Sequence, residues 1–133
     1  MISDGKIHQL YETAKAASRS SYSPYSTFPV GAAALTSDGS VYCGANVENA
    51  SYGLTICAER VAVCTAVSAG KKDIVAIAVY GGKNGVAPCG ACRQFLAEFG
   101  SDIMVVYMRD EELVTQPIYA LLPDSFSKEE LPG

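Results

Sequence analysis

No cluster of lysine and arginine occurs in this chain: 10 basic residues stand against 14 acidic ones, a formal charge of −4. Phosphate contacts supply most of a nucleic-acid binder's affinity, so DNA and RNA are poor partners. No apolar stretch reaches membrane-spanning length, and no apolar segment follows Met1-Ile2-Ser3-Asp4-Gly5-Lys6. We therefore expect neither a membrane partner nor a secretory leader. Histidine is nearly absent: His8 is the only one, and it belongs to an amphipathic pattern with Ile7, Leu10, Tyr11, Ala14 and Ala17.

Cysteine, by contrast, is placed with purpose. Of five, Cys57 lies in Cys57-Ala58-Glu59-Arg60, and two more in Pro88-Cys89-Gly90-Ala91-Cys92-Arg93. Cys-x-Glu followed at a distance by Pro-Cys-x-x-Cys is a signature of zinc hydrolases that act on bases. A catalytic zinc takes three protein ligands and keeps one position for water. Cys57, Cys89 and Cys92 supply three, and Glu59 stands beside them as a carboxylate for proton transfer. The apolar run after Glu59 and the stretch from Gly90 to Phe99 read as helices, so each cysteine group opens a helix. Helix starts stabilise thiolates through unpaired N–H groups and the helix dipole. Three thiolates leave zinc with excess negative charge, and we expect Arg60 or Arg93 to donate to a ligand sulfur and offset it.

Two rival readings fit parts of this pattern. A zinc ion that only staples the fold needs a fourth ligand; Cys64 is seven residues past Cys57, about 10 Å along a helix, and His8 is far away in sequence. Cys43 alone stays open for that role. A redox pair is the usual rival for Cys-x-x-Cys, but it gives no part to Glu59. Cys43 and Cys64 sit in apolar contexts and are expected to be buried free thiols. An odd cysteine count with Cys-x-x-Cys fits a reducing, cytoplasmic compartment.

At 133 residues the chain is expected to form one domain, 1–133, and 49% hydrophobic residues are enough for a core. After the first helix, the loop Tyr22–Pro29 carries aromatics and two prolines, and Phe28 there is either a loop anchor or a ligand contact. Val30–Thr36 and Val41–Val47 read as strands joined by an Asp38-Gly39 turn. Asn46 and Glu48 alternate to one side of the extended chain that follows. They could hold hydroxyl groups of a ligand or close a satisfied turn, and local sequence favours neither. The helix after Cys57 is predicted to stop near Gly70. Ile74–Tyr80 and Ile103–Met108 read as buried strands, Gly81–Val86 as a glycine-rich loop without a phosphate-binding spacing, and Leu113–Gln116 as a fifth strand. The predicted fold is α/β, three layers α/β/α, with a five-stranded mixed sheet.

The runs Phe28-Pro29-Val30-Gly31-Ala32-Ala33 and Asn46-Val47-Glu48-Asn49-Ala50-Ser51-Tyr52-Gly53, with the two cysteine motifs, resemble cytidine deaminase in its small three-cysteine form. The resemblance spans about Tyr22 to Phe126. It implies one Zn²⁺ per chain on Cys57, Cys89 and Cys92, Glu59 as proton shuttle, and Arg60 as the arginine bonded to ligand sulfur. It implies that Asn46 and Glu48 hold the ribose 3′-hydroxyl, that Phe28 packs on the pyrimidine, and that backbone at Ala58 helps Glu59 read the base. It further implies a homotetramer with shared sites, in which Tyr52 reaches the 5′-hydroxyl across an interface and Phe126 stacks on the base from another chain. The reaction so implied is hydrolytic deamination of cytidine and 2′-deoxycytidine in pyrimidine salvage. An antibiotic-nucleoside deaminase, a polynucleotide-editing deaminase and a zinc-stapled binding module without turnover are the alternatives. The Asn46/Glu48 pair speaks against the first, and the acidic charge against the second.

Overall fold

Residues 2–132 are described by a computed structural model of the chain. Helix α1 (Asp4–Ala17) begins where the Ser3 hydroxyl oxygen accepts from the Lys6 amide, a cap that satisfies an otherwise orphaned N–H. Strands β1 (Gly31–Thr36) and β2 (Val41–Ala45) form the expected hairpin. Its turn is closed by Asp38, whose carboxylate accepts from the Thr36 hydroxyl (2.6 Å) and the Ser40 amide (3.0 Å). Helix α2 (Ala58–Ser68), strand β3 (Ile74–Tyr80), helix α3 (Gly90–Ala97), strands β4 (Met104–Arg109) and β5 (Glu112–Pro117) and the short helix α4 (Ile118–Leu121) follow.

The five strands lie in the order β2-β1-β3-β4-β5. Only β3 and β4 are parallel, the pair joined through α3; every other neighbouring pair is antiparallel. Inner strand β1 is buried along its whole length, and its alternation sorts residues to the two faces. Ala33 and Leu35 meet Leu10, Tyr11 and Ala14 of α1. Ala32 and Ala34 meet Ala58, Ala62, Val63 and Ala66 of α2, in a core that also takes Leu96 of α3 and Ile118 of α4. Each large side chain buried this way contributes about 1.5–3 kcal/mol, so α2 and α3 are held on the same face of the sheet. Gly44 permits the approach: a Cβ there would stand 2.4 Å from the Ala62 backbone nitrogen.

Some boundaries differ from expectation. The second strand ends at Ala45; Asn46–Glu48 instead continues as extended chain stitched to Tyr22 on one side and Ile56 on the other. The third helix closes at Ala97, because Phe99 and Gly100 bond three residues back, to Leu96 and Ala97, and tighten the last turn. Cys43 and Cys64, expected to be buried, are both exposed. Cys43 lies on the edge strand β2, where no further strand covers it, and Cys64 on the part of α2 turned away from the core. Among the described residues, no helix is long and apolar enough to cross a membrane.

Candidate active site

Cys57 and Cys89 are the residues immediately before α2 and α3, and Cys92 is the third residue of α3. Cβ bonds tilt toward a helix's N-terminus, so side chains at these positions reach beyond the helix end. The three sulfur atoms lie within 4.8 Å of one another. Cys92 is buried, Cys57 half-buried and Cys89 exposed, so the group opens to one side. The Cys89 sulfur accepts from the Cys92 amide at 3.4 Å.

Charge at this cradle is already organised. Cys57 is pulled down to about 5, first by the hydrogen bond with Cys92 and then by Arg60. Cys92 is pushed far above the usual thiol range, the same hydrogen bond being the largest cause and burial the next. Without a metal the pair therefore favours negative charge on Cys57 over Cys92. The Arg60 guanidinium donates to the Cys57 sulfur (3.7 Å) and to the Thr55 carbonyl (3.5 Å), while its Nε is buried without a partner. Arg93 takes no part in this: it donates to the carbonyls of Pro88 (2.8 Å) and Leu121 (2.9 Å). Of the two arginines weighed for sulfur, Arg60 is the one in place.

Glu59, on the first turn of α2, is 4% exposed. Its pKa is raised, chiefly by burial and further by the Cys57 charge. Ala58 beside it is fully buried. Among the described residues no fourth cysteine, histidine or carboxylate joins the sulfur cluster. Three soft thiolate donors suit zinc, and a set of three protein ligands is the catalytic rather than the closed structural pattern. The residues present therefore fit a zinc ion with one position to spare.

The polar chain 46–48 runs past this centre, because Val47 pairs with Ile56 in both directions (3.0 and 2.9 Å). Asn46 is 8% exposed. Its Oδ1 accepts from the Ser21 hydroxyl (2.5 Å) and the Val30 amide (2.9 Å), and its Nδ2 donates to the Phe28 carbonyl (3.1 Å). Glu48 accepts from the amides of Tyr25 (3.0 Å) and Ser26 (3.1 Å) and from the Ser26 hydroxyl, and these donors lower its pKa, the Ser26 side chain most. Both residues therefore fasten the 21–30 loop; the satisfied-turn reading describes their bonds within the chain. Glu48 also borders a cavity of about 410 Å³ with Tyr25, Ser26, Tyr52 and Thr55.

The aromatic candidates stand at the surface: Phe28 is 44% exposed, Tyr52 74% and Phe126 59%. Tyr52 packs edge-on against Tyr25 at 6.0 Å. A Cβ on Gly81 or Gly82 would lie 3.3 Å from the Phe28 ring, so the glycine-rich loop is the seat of this ring. Phe126 is tied back to α3, where the Gln94 amide donates to its carbonyl at 2.9 Å. Sequence reasoning missed Ser21, Ser26, Gly81, Gly82 and Gln94. The serines carry a faint signal, being hydroxyls in a proline-ordered loop; nothing local to Gln94 announces its partner 32 residues away.

Comparison with known proteins bears directly on this centre. The family described as the cytidine and deoxycytidylate deaminase zinc-binding region matches residues 5–108, which include all three clustered cysteines and Glu59. A cytidine deaminase of Halalkalibacterium halodurans is 50% identical over 125 residues, covering 92% of this chain and 95% of its own. The 1.6 Å crystal structure of cytidine deaminase from Burkholderia pseudomallei superposes with a TM-score of 0.84 at 48% identity, over 90% of this chain and 98% of that one. Cytidine deaminase from Mycobacterium tuberculosis gives 0.83 at 42% identity, over 94% and 98%. With a family match over most of its length and relatives of this closeness, the chain belongs to the cytidine deaminase family.

Proposed function

We propose that this protein is a zinc-dependent cytidine deaminase, converting cytidine and 2′-deoxycytidine with water to uridine or 2′-deoxyuridine and ammonia. One observation carries the reading: a buried carboxyl, Glu59, sits beside a three-sulfur cluster that no fourth donor joins among the described residues. Cys57, Cys89 and Cys92 would hold the ion. Zinc bound there supplies a Lewis acid that lowers the pKa of a bound water toward about 7.

The chain's own residues do the rest. Burial raises the Glu59 pKa, a direction that suits a carboxyl that must take and return protons. Glu59 removes a proton from the water that adds to ring C4 and delivers it to N3. It then takes the second proton from the new C4 hydroxyl, which becomes the carbonyl, and gives it to the amine as the C4–N bond breaks and ammonia leaves, so one carboxyl acts as base and acid in turn. Arg60 holds the Cys57 sulfur and offsets its charge. The Ala58 backbone and Glu59 read the base, and Phe28 packs against it from its seat on Gly81 and Gly82.

The sugar falls to Asn46 and Glu48. The Asn46 amide has one N–H left after its bonds to the loop, and that donor meets the ribose 3′-hydroxyl oxygen. Glu48 Oε2, held by the Ser26 hydroxyl, has a lone pair for the hydroxyl proton. Tyr52 and Phe126, exposed here, serve the 5′-hydroxyl and the base in neighbouring subunits of a homotetramer. The single domain works in the cytoplasm as part of pyrimidine salvage, with a small nucleoside as substrate.

The test is ammonia release, or loss of ultraviolet absorbance, with cytidine, 2′-deoxycytidine, cytosine and blasticidin S, alongside zinc content and mass in solution. Turnover of the first two at one zinc per chain is expected. A zinc-free protein, or turnover of blasticidin S alone, overturns the reading.

A further inference from the structure

The C-terminal segment after α4 carries Phe126 but is hardly attached. Pro123 through Pro132 makes its own turns, with Ser127 and Glu130 capping each other. Between this segment and the end of α3 lies a cavity of about 360 Å³, lined by Glu98, Phe99, Ser101, Ser125, Ser127 and Lys128 among others, so the two surfaces do not pack together. Phe126 and Leu131 are both 59% exposed. Among the described residues, one hydrogen bond joins 123–132 to another element: Gln94 Nε2 to the Phe126 carbonyl, 2.9 Å. Arg93, the preceding residue, clamps the Leu121 carbonyl just upstream while also holding Pro88, beside ligand candidate Cys89.

We propose that Gln94 is a positioning residue, fixing on α3 the backbone from which Phe126 reaches the site of a neighbouring subunit, with Arg93 setting the height of the segment's root. This rests on the reading above that Phe126 contacts substrate. The geometry is short and rigid: Cys92, Arg93 and Gln94 are consecutive on one helix. One turn of α3 thereby sets both the sulfur cluster and the backbone of the aromatic side chain. A neutral hydrogen bond is worth about fivefold in an equilibrium, enough to keep an otherwise loose aromatic in register without freezing it.

The experiment uses the full-length zinc-loaded enzyme. Gln94→Ala and Gln94→Glu, the second equal in size but without a donor, should each raise KM for cytidine about fivefold with kcat within twofold and zinc content and mass in solution unchanged. Gln94→Lys, which restores a donor of similar reach, should recover most of the loss. In both defective variants, hydrogen exchange of amides 125–131 should quicken. In a Phe126→Ala background the Gln94→Ala change should add nothing further to KM, because the two act through one contact. Unchanged exchange in the tail, or effects that multiply in the double variant, overturn the positioning role. A quickened tail with KM unaltered in Phe126→Ala as well as Gln94→Ala overturns the substrate contact of Phe126, and the positioning role falls with it.

Discussion

The sulfur cradle and the aromatic wall are built on opposite plans. Cys57, Cys89, Cys92, Glu59 and Arg60 all lie within one helical turn of two helix starts, and both helices are anchored in the same core. Phe28, Tyr52 and Phe126 lie in three separate loops or turns, each more than two-fifths exposed. The first region draws its groups from two helix starts; the second is aromatic surface borne on loops. Chemistry that requires sulfur atoms within a few ångströms tolerates no slack and is assigned to rigid elements. Under the proposed function, substrate selection falls to loops, which can be adjusted without disturbing the metal.

The largest effects are expected where the cradle is cut. Cys92→Ser should abolish stoichiometric zinc and lower kcat/KM by roughly 10³-fold or more, beyond the 10–100-fold that supporting partners contribute. Arg60→Gln should weaken zinc retention by about 10–100-fold, read by competition with a chelator. Glu59→Gln separates metal from proton transfer: zinc content should hold while kcat falls by about 10²–10⁴-fold. Near-normal kcat in that variant removes Glu59 from the reaction.

The wall should respond differently. Glu48→Gln removes a charged acceptor that orders Tyr25 and Ser26, so KM for cytidine should rise about tenfold with zinc content intact. A variant that instead sheds zinc would erase the boundary between the two regions.

The same contrast explains what could be read in advance. The cradle was legible because each half is a short motif, Cys57-Ala58-Glu59 and Cys89-Gly90-Ala91-Cys92, whose spacing a helix start turns into position, even though the two halves stand far apart in sequence. Zinc chemistry, the α/β sheet and the three-layer arrangement follow from local patterns of that kind. The wall depends on pairings across long separations. Ser26 meets Glu48 across 22 residues, and Gln94 meets Phe126 across 32. Cys43 and Cys64 were misplaced because apolar neighbours in sequence do not show which strand ends the sheet or which side of a helix faces out.

Protonation gives a finer test of the cradle, in the zinc-free chain under reducing conditions. Cys57 titrates near 5 when folded and near 8.5 when unfolded. Between those values the unfolded chain binds the extra proton, so stability should rise with pH. Glu59 acts oppositely and earlier: its raised value makes the folded chain hold its proton longer, so stability falls as pH climbs out of the ordinary carboxylate range. Above the ordinary thiol range Cys92 reverses the gain, because the folded chain keeps that proton. Denaturant midpoints should therefore pass through a maximum on the alkaline side of neutrality, and Cys57→Ala should flatten the rise.

The smallest predicted effect is at Thr27, directly before Phe28. Its φ of 54° places a β-branched residue in the left-handed region, where such side chains are crowded against the backbone. Its hydroxyl bonds only to the adjacent Ser26 carbonyl, so no distant contact accounts for the strain. The backbone at this corner is fixed instead by its neighbours: the Thr27 amide donates to the Ser23 carbonyl and the Phe28 amide to the Ser26 hydroxyl, which in turn serves Glu48. Asparagine tolerates this conformation and retains both amides. Thr27→Asn should thus raise stability by about 1 kcal/mol in denaturant unfolding while leaving KM and zinc content unchanged. A rise in KM would mean that the threonine side chain itself helps aim Phe28, and that the wall, like the cradle, admits no substitution at its corners.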